Sequence, residues 1–375
     1  MTWKLTLTRA ALSRLYARAR ANPSQPRVHG AGICRLPGSI ELLLHSVDPV
    51  GPYFHDPLAR VVVVGAPTLR DLSAFLSGDL TAHADGGAPS VHLALGVGNA
   101  AGRMLGRCYS STGPVENLSV LKVIAEGLPH IDFSSSEAVR LSDTEASIWS
   151  RTIGALGERV WRRLTDLHFC LVGCGRSGSL MAASLHRFGA RYLTLIDPDH
   201  WELHNLGESD VVTVSETAKG KASSLASGLS HLRNGAEASA IQGSVLSLPA
   251  LIAAKQSDVL ICAADNPAAH LATAVLANLY LKPLLDIGTG VLAAQGEERR
   301  TGADIRLVLP GRCLRCFGSV AGFEQARRNL LEGGILPTPA ATEWQSHRAG
   351  SLPCAKPYCL SLPQFVGFEC PGSSR

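Results

Sequence analysis

The chain has 375 residues, 46% hydrophobic and 18% charged, which is apolar material for more than one core and points to two domains. A formal charge of +4 on this length singles out neither nucleic acid nor a membrane surface, and no stretch approaches the roughly 18 uninterrupted apolar residues of a membrane span. Ten scattered cysteines, with Cys170 and Cys262 inside apolar runs, suit buried thiols in a reducing compartment better than a disulfide framework, so a cytoplasmic protein is expected.

The Arg- and Ala-rich opening, MTWKLTLTRAALSRLYARARANPSQP, lacks the apolar core of a secretory signal. It reads as a surface helix, with an organelle transit peptide as the alternative. Residues 1–140 then read as a separate α+β domain. Short apolar runs at Ile40–Leu44, Arg60–Val64 and Val91–Leu95, parted by Gly, Pro and Asp clusters, predict strands, and helices are predicted around Leu69–Leu76 and Leu118–Glu126. His29, His45, His55, His83 and His92 do not fall at metal-ligand spacings and are read as structural or surface groups. The stretch VHLALGVGNAAGRMLGRCYSS faintly resembles the sheet of a metalloprotease-like deubiquitinase, but the zinc-binding His-x-His is absent.

Residues 141–350 read as a second domain. The segment 140–166 predicts one or two helices, the first capped by Asp143. Strand and helix patterns then alternate: LHFCLVG, the helix Ser177–Phe188, RYLTLID, the helix Lys219–Leu232, ASAIQG, DVLICAAD, the helix Ala268–Leu281, PLLDIGTG and DIRLVLP. Such alternation predicts an α/β fold with a doubly wound, mostly parallel Rossmann-like sheet, which binds ligands beyond the carboxyl ends of its strands. A helix near Phe323–Leu331 precedes a Pro-rich tail, residues 351–375.

Three chemical signals fall at those strand ends. Gly173-Cys174-Gly175-Arg176-Ser177-Gly178 follows an apolar strand and opens a helix. In such loops the first Gly permits the turn, the second admits a phosphate and the third packs helix on strand. Free N–H groups at the helix start, and Arg176, favour an anion. Asp197, 24 residues after Gly173 at the end of the next strand, suits ribose hydroxyls, in ATP or in NAD. Cys174 reads as a small filler of the loop; no thioester cysteine is assigned.

The run LTLIDPDHWELHNLGES, then Gly220-Lys221, CAADN and KPLLDIGTG resemble the ThiF family of adenylating enzymes, which includes the ubiquitin-activating enzymes. The likeness runs from Arg151 to Cys316. It implies that Asp197 meets the ribose, Asn205 lies beside the phosphates, Lys221 contacts them, Asp265 holds Mg²⁺ or lines the surroundings of the attacking carboxylate, and Arg151 reaches a partner subunit's ATP. Cys313 and Cys316 resemble half of the family's structural Zn²⁺ site, with Cys354 and Cys359 as the other half; buried or surface thiols are the alternative. One position departs from the pattern: Glu208 stands where the family has Arg, and an acid there repels a triphosphate.

The resemblance implies an ATP- and Mg²⁺-dependent adenylyltransferase of a bacterial conjugation-like system. Lys221, Asp265, Arg176 and Arg151 would be catalytic, with Gly173, Gly175, Gly178, Asp197 and Asn205 on the nucleotide. A ubiquitin-like or sulfur-carrier protein would supply the carboxylate, with a conjugating enzyme as a further partner and a homodimer as the assembly. The alternatives are an NAD-dependent oxidoreductase, which leaves Asn205, Lys221 and Asp265 without roles, and a non-catalytic scaffold, which Glu208 favours.

Overall fold

A computed structural model describes residues 2–45, 47, 59–77, 89–110, 115–124, 131–132, 143–232, 237–293, 299–310 and 314. The chain divides into two compact units, Met1–Glu137 and Ala138–Arg375.

In the first unit the opening segment is a strand before it is a helix. β1 (Thr2–Thr8) is largely buried and runs parallel to both β3 (Ser39–Leu44) and β8 (Val120–Ile124). Thr8 ends the strand and caps α1 (Arg9–Ala21), its hydroxyl accepting from the Ala11 N–H at 3.1 Å. Ala11, Leu15 and Ala19 recur every four residues, so α1 buries one stripe, with Arg9 and Arg20 exposed and Arg18 half-buried and donating to the Val47 carbonyl. The remaining elements are β2 (Arg27–Leu36), β4 (Ala59–Ala66), α2 (Leu69–Ser77), β5 (Ser90–Gly96), β6 (Met104–Tyr109), β7 (Glu116–Asn117) and β9 (Ile131–Asp132). They form a mixed sheet in the order β7-β6-β5-β4-β2-β3-β1-β8-β9. The helix expected over Leu118–Glu126 is instead the strand β8: Val120, Val123 and Ile124 are β-branched, and pairing with β1 settles their state. His55 and His83 lie outside the described residues.

The second unit opens with three short helices rather than one or two: α3 (Asp143–Ile148), α4 (Ser150–Leu156) and α5 (Glu158–Thr165). Asp143 is the first residue of α3, and its side chain lies outside the described residues. Gly157, at φ +79°, ends α4 and starts α5, a backbone state that favours glycine. Trp149 and Trp161 stack with ring centroids 5.2 Å apart, and their indole N–H groups donate to the Arg187 and Phe188 carbonyls, each at 3.2 Å. These bonds seat α4 and α5 on the end of the next helix.

From there the expected alternation holds: β10 (His168–Val172), α6 (Arg176–Phe188), β11 (Tyr192–Asp197), α7 (Lys221–Leu232), β12 (Glu237–Gln242), α8 (Leu248–Gln256), β13 (Val259–Cys262), α9 (Pro267–Leu279), β14 (Leu284–Ala293) and β15 (Arg299–Val308). Helix α8 was not anticipated. The sheet order is β12-β11-β10-β13-β14-β15, parallel except for β15, which pairs antiparallel with β14. This is the Rossmann order, and it reverses between β10 and β13. One apolar cluster on each face, led by Leu171, Leu195 and Leu225 and by Val172, Leu260 and Leu276, buries the sheet. Among the described residues no helix is long and apolar enough to cross a membrane.

Candidate active site

The chain leaves β10 and β13 in opposite directions, so a crevice opens past their carboxyl ends. The glycine loop fills the β10 side. Gly173 has φ +92°, and a Cβ there would lie 2.6 Å from the Ala264 nitrogen, so the first glycine is needed for its conformation and for contact with the end of β13. At Gly178 a Cβ would meet the Gly173 carbonyl oxygen at 1.9 Å, so the third glycine lets α6 close on the loop. Gly175 has no neighbour within 4 Å in that direction and faces open space.

Asp197 organises this loop from below. It is 5% exposed; Oδ2 accepts from the Cys174 N–H at 2.6 Å and Oδ1 from the Asp199 N–H at 2.8 Å. Burial raises its pKa, against the two backbone hydrogen bonds and Lys221, which lower it. Cys174 is fully buried, and burial, then the Asp197 charge, pushes its thiol well above the ordinary value, as suits a packing residue rather than a nucleophile.

Lys221 begins α7, and its ammonium lies 3.3 Å from Asp199 Oδ2 and 5.9 Å from the ring centre of the buried Trp201. The backbone fixes this arrangement, since the Lys221 N–H donates to the Asp199 carbonyl and the Trp201 N–H to that of Lys219. Gln242, at the end of β12, donates to the Pro198 and Asp199 carbonyls at 2.7 and 2.9 Å. Asp199 was missed in the sequence, although the Asp197-Pro198-Asp199 spacing signals it.

Asp265 lies past the end of β13, exposed and without a hydrogen bond or ion pair among the described residues. Asn266 beside it caps α9, accepting from the Ala268 N–H at 2.8 Å. Strands β11 and β13 flank β10, so Asp199, which holds Lys221, and Asp265 follow the strands on the two sides of β10.

The other sequence-derived residues are less engaged. Asn205 is in the short 3₁₀ segment Leu203–Glu208, where its side chain accepts from the Glu202 N–H at 3.4 Å. The Glu208 side chain lies outside the described residues. Arg176 is exposed at the first position of α6, and Arg151 is exposed on α4. Cys313, Cys316, Cys354, Cys359 and the segment Phe323–Leu331 also lie outside the described residues.

Residues 149–342 match the family model described as ThiF family. Comparison with curated proteins gives no match. Among solved structures, the chain is similar to E. coli tRNA N6-threonylcarbamoyladenosine dehydratase, TcdA, in complex with AMP, at 21% identity over 40% of this chain and 68% of that one, with a TM-score of 0.37. It is also similar to E. coli MccB with ATP, at 19% identity over 53% of this chain and 59% of that one, with a TM-score of 0.38. In a further TcdA structure the match spans 66% of the relative's length. The matched segment takes in α4, the glycine loop, Lys221 and Asp265 and exceeds half the chain, so the protein belongs to the ThiF family.

Proposed function

We propose that the second unit binds ATP in the crevice between β10 and β13 and adenylates a carboxylate, that of the C-terminus of a ubiquitin-like or sulfur-carrier protein. The observation that carries this is an open-faced glycine loop with a lysine held at Asp199 past β11 and an exposed aspartate, unengaged among the described residues, past β13. Family membership supports it.

In this reading the triphosphate lies over Gly175, where the loop leaves room and the start of α6 presents free N–H groups. Asp199 and Asp197 stand at the strand end that faces the ribose. The attacking carboxylate oxygen bonds to the α-phosphorus as the bond to the bridging oxygen of pyrophosphate breaks. Negative charge grows on the phosphate oxygens. Lys221 stabilises it by exchanging its contact with Asp199 for one with phosphate, and Arg176 adds a second cation at the loop. Asp265 fits Mg²⁺: it is an exposed oxygen donor that no other group engages among the described residues. Bound there with the phosphates, Mg²⁺ would neutralise charge on the leaving group. Arg151 is proposed to act on the site of a second copy in a homodimer.

ATP–pyrophosphate exchange tests the proposal, run with a ubiquitin-like or sulfur-carrier protein and with the same protein whose C-terminal carboxylate is blocked as the amide. Exchange with the first alone is expected. Equal exchange with both would show that the terminal carboxylate is not the nucleophile. Nicotinamide-dependent reduction in place of exchange would favour the oxidoreductase, which gives Lys221 and Asp265 no role.

A further inference from the structure

One buried polar cluster beneath the crevice has no part in the steps above. His270, in the first turns of α9, is 7% exposed. Its Nδ1 lies 2.6 Å from Asp286 Oδ1 on β14, and its Nε2 lies 2.7 Å from the carbonyl oxygen of Ala264. A carbonyl oxygen only accepts, so Nε2 carries a proton. Asp286 is also 7% exposed, and a carboxylate so deep requires a partner. Cys262 completes the cluster, the three ligand-type atoms lying within 4.8 Å of one another. A metal ion is the obvious alternative occupant. Its ligand atoms sit about 2.0–2.3 Å from the ion and so hold each other well over 3 Å apart. The 2.6 Å contact between Nδ1 and Asp286 is that of a charge-assisted hydrogen bond.

The position of the Ala264 carbonyl matters because of its neighbours. The Ala263 N–H donates to the Val172 carbonyl at 2.8 Å, which ties the end of β13 to the end of β10. Gly173 packs directly on the Ala263–Ala264 backbone. Asp265 follows at once, and Asn266 is already committed to capping α9. The bond from His270 is therefore the side-chain tie immediately before Asp265, and it links β13, α9 and β14.

We propose that His270 is a positioning residue: bridging Asp286 and the Ala264 carbonyl, it fixes the turn that presents Asp265. The functional half of this rests on the ATP reading above; the structural half does not. Burial alone would lower the His270 pKa, and Cys262 and Asp286 outweigh it and hold the ring protonated, with a pKa near 11.

Two measurements on the full chain test this. The first is hydrogen–deuterium exchange without ligand over residues 263–269. The second is calorimetric affinity for ATP in Mg²⁺. Two substitutions split the bridge. In His270→Asn the amide nitrogen falls near the Nδ1 position and keeps the Asp286 contact while losing that to Ala264. In His270→Gln it falls near Nε2 and keeps the Ala264 contact; pairing it with Asp286→Asn removes the orphaned buried charge. His270→Asn is expected to speed exchange in the turn and weaken ATP roughly tenfold. The His270→Gln, Asp286→Asn double variant is expected to restore both to within about threefold. Because His270 acts through Asp265, adding His270→Asn to Asp265→Ala should weaken ATP no further than Asp265→Ala alone.

Unchanged exchange in the turn of His270→Asn overturns the proposal, whatever happens to ATP. Loosened exchange with unaltered ATP affinity, or additive losses with Asp265→Ala, removes the functional half. Failure of the wild-type chain to bind ATP overturns the functional reading itself, and is told apart because the turn is measured without nucleotide.

Discussion

Lys221 and Asp199 form an ion pair in which the lysine side chain is 14% exposed and the aspartate 64%. The aspartate is open to water, so the ion pair contributes under about 1 kcal/mol, and Lys221→Ala should lower the unfolding free energy only modestly, through that pair and the lost packing of its largely buried stem. If the lysine instead meets phosphate as charge develops, the same change should lower ATP–pyrophosphate exchange about 10²- to 10³-fold. His270 should show the opposite balance. Its pKa is raised from about 6.5 to near 11, so the folded state holds a proton that the unfolded chain releases between those values. The stabilisation is complete below the lower value and is lost as pH rises through the upper one. Chemical denaturation between pH 7 and 10 should show stability falling by up to about 1.4 kcal/mol per pH unit from this group, a slope that the His270→Gln, Asp286→Asn double variant removes. The three glycines were readable from their place between an apolar strand and a helix, whereas Lys221 and Asp265 were singled out only through the resemblance to the ThiF family. His270 was not, since its partners lie 6 and 16 residues away and nothing local marks it as paired. Asp197 was legible as a strand-end acid, but not as the clamp on two backbone N–H groups, because that depends on where the glycine loop returns.

The glycine loop and α6 act as one element, and their glycines should respond differently. A methyl at Gly178 would meet the Gly173 carbonyl oxygen at 1.9 Å, and both atoms belong to packed backbone. Gly178→Ala should cost about 1–3 kcal/mol or more, seen as an early midpoint in urea, and should abolish ATP binding. Gly175→Ala enters open space and should change stability by less than about 0.5 kcal/mol while still weakening ATP, because the methyl occupies the volume assigned to phosphate. At this scale the alternation of strands and helices in the second unit was readable, since buried parallel strands are short apolar runs between amphipathic helices. Helix α8 escaped because LPALIAAKQ carries little polar contrast between its faces, though Ala250, Ala253 and Ala254 are the ones it buries. The strand β8 was misread because LSVLKVIAE fits either period, and only the distant pairing with β1 decides between them.

Over the whole molecule the chemistry is expected to belong to the second unit, which has its own sheet and its own apolar clusters. A polypeptide running from Ala138 to Arg375 should unfold cooperatively and bind ATP within about threefold of the full chain, as a domain with an independent core does. The crevice between β10 and β13 is the feature on which everything else depends. Calorimetric titration of the full chain with ATP in Mg²⁺, alongside NAD and alongside the Lys221→Ala variant, examines it without any knowledge of the substrate. Saturable binding of ATP, none of NAD, and an affinity about tenfold weaker in Lys221→Ala are expected. Binding of NAD but not ATP, or ATP binding that Lys221→Ala leaves untouched, would contradict a triphosphate held in this crevice.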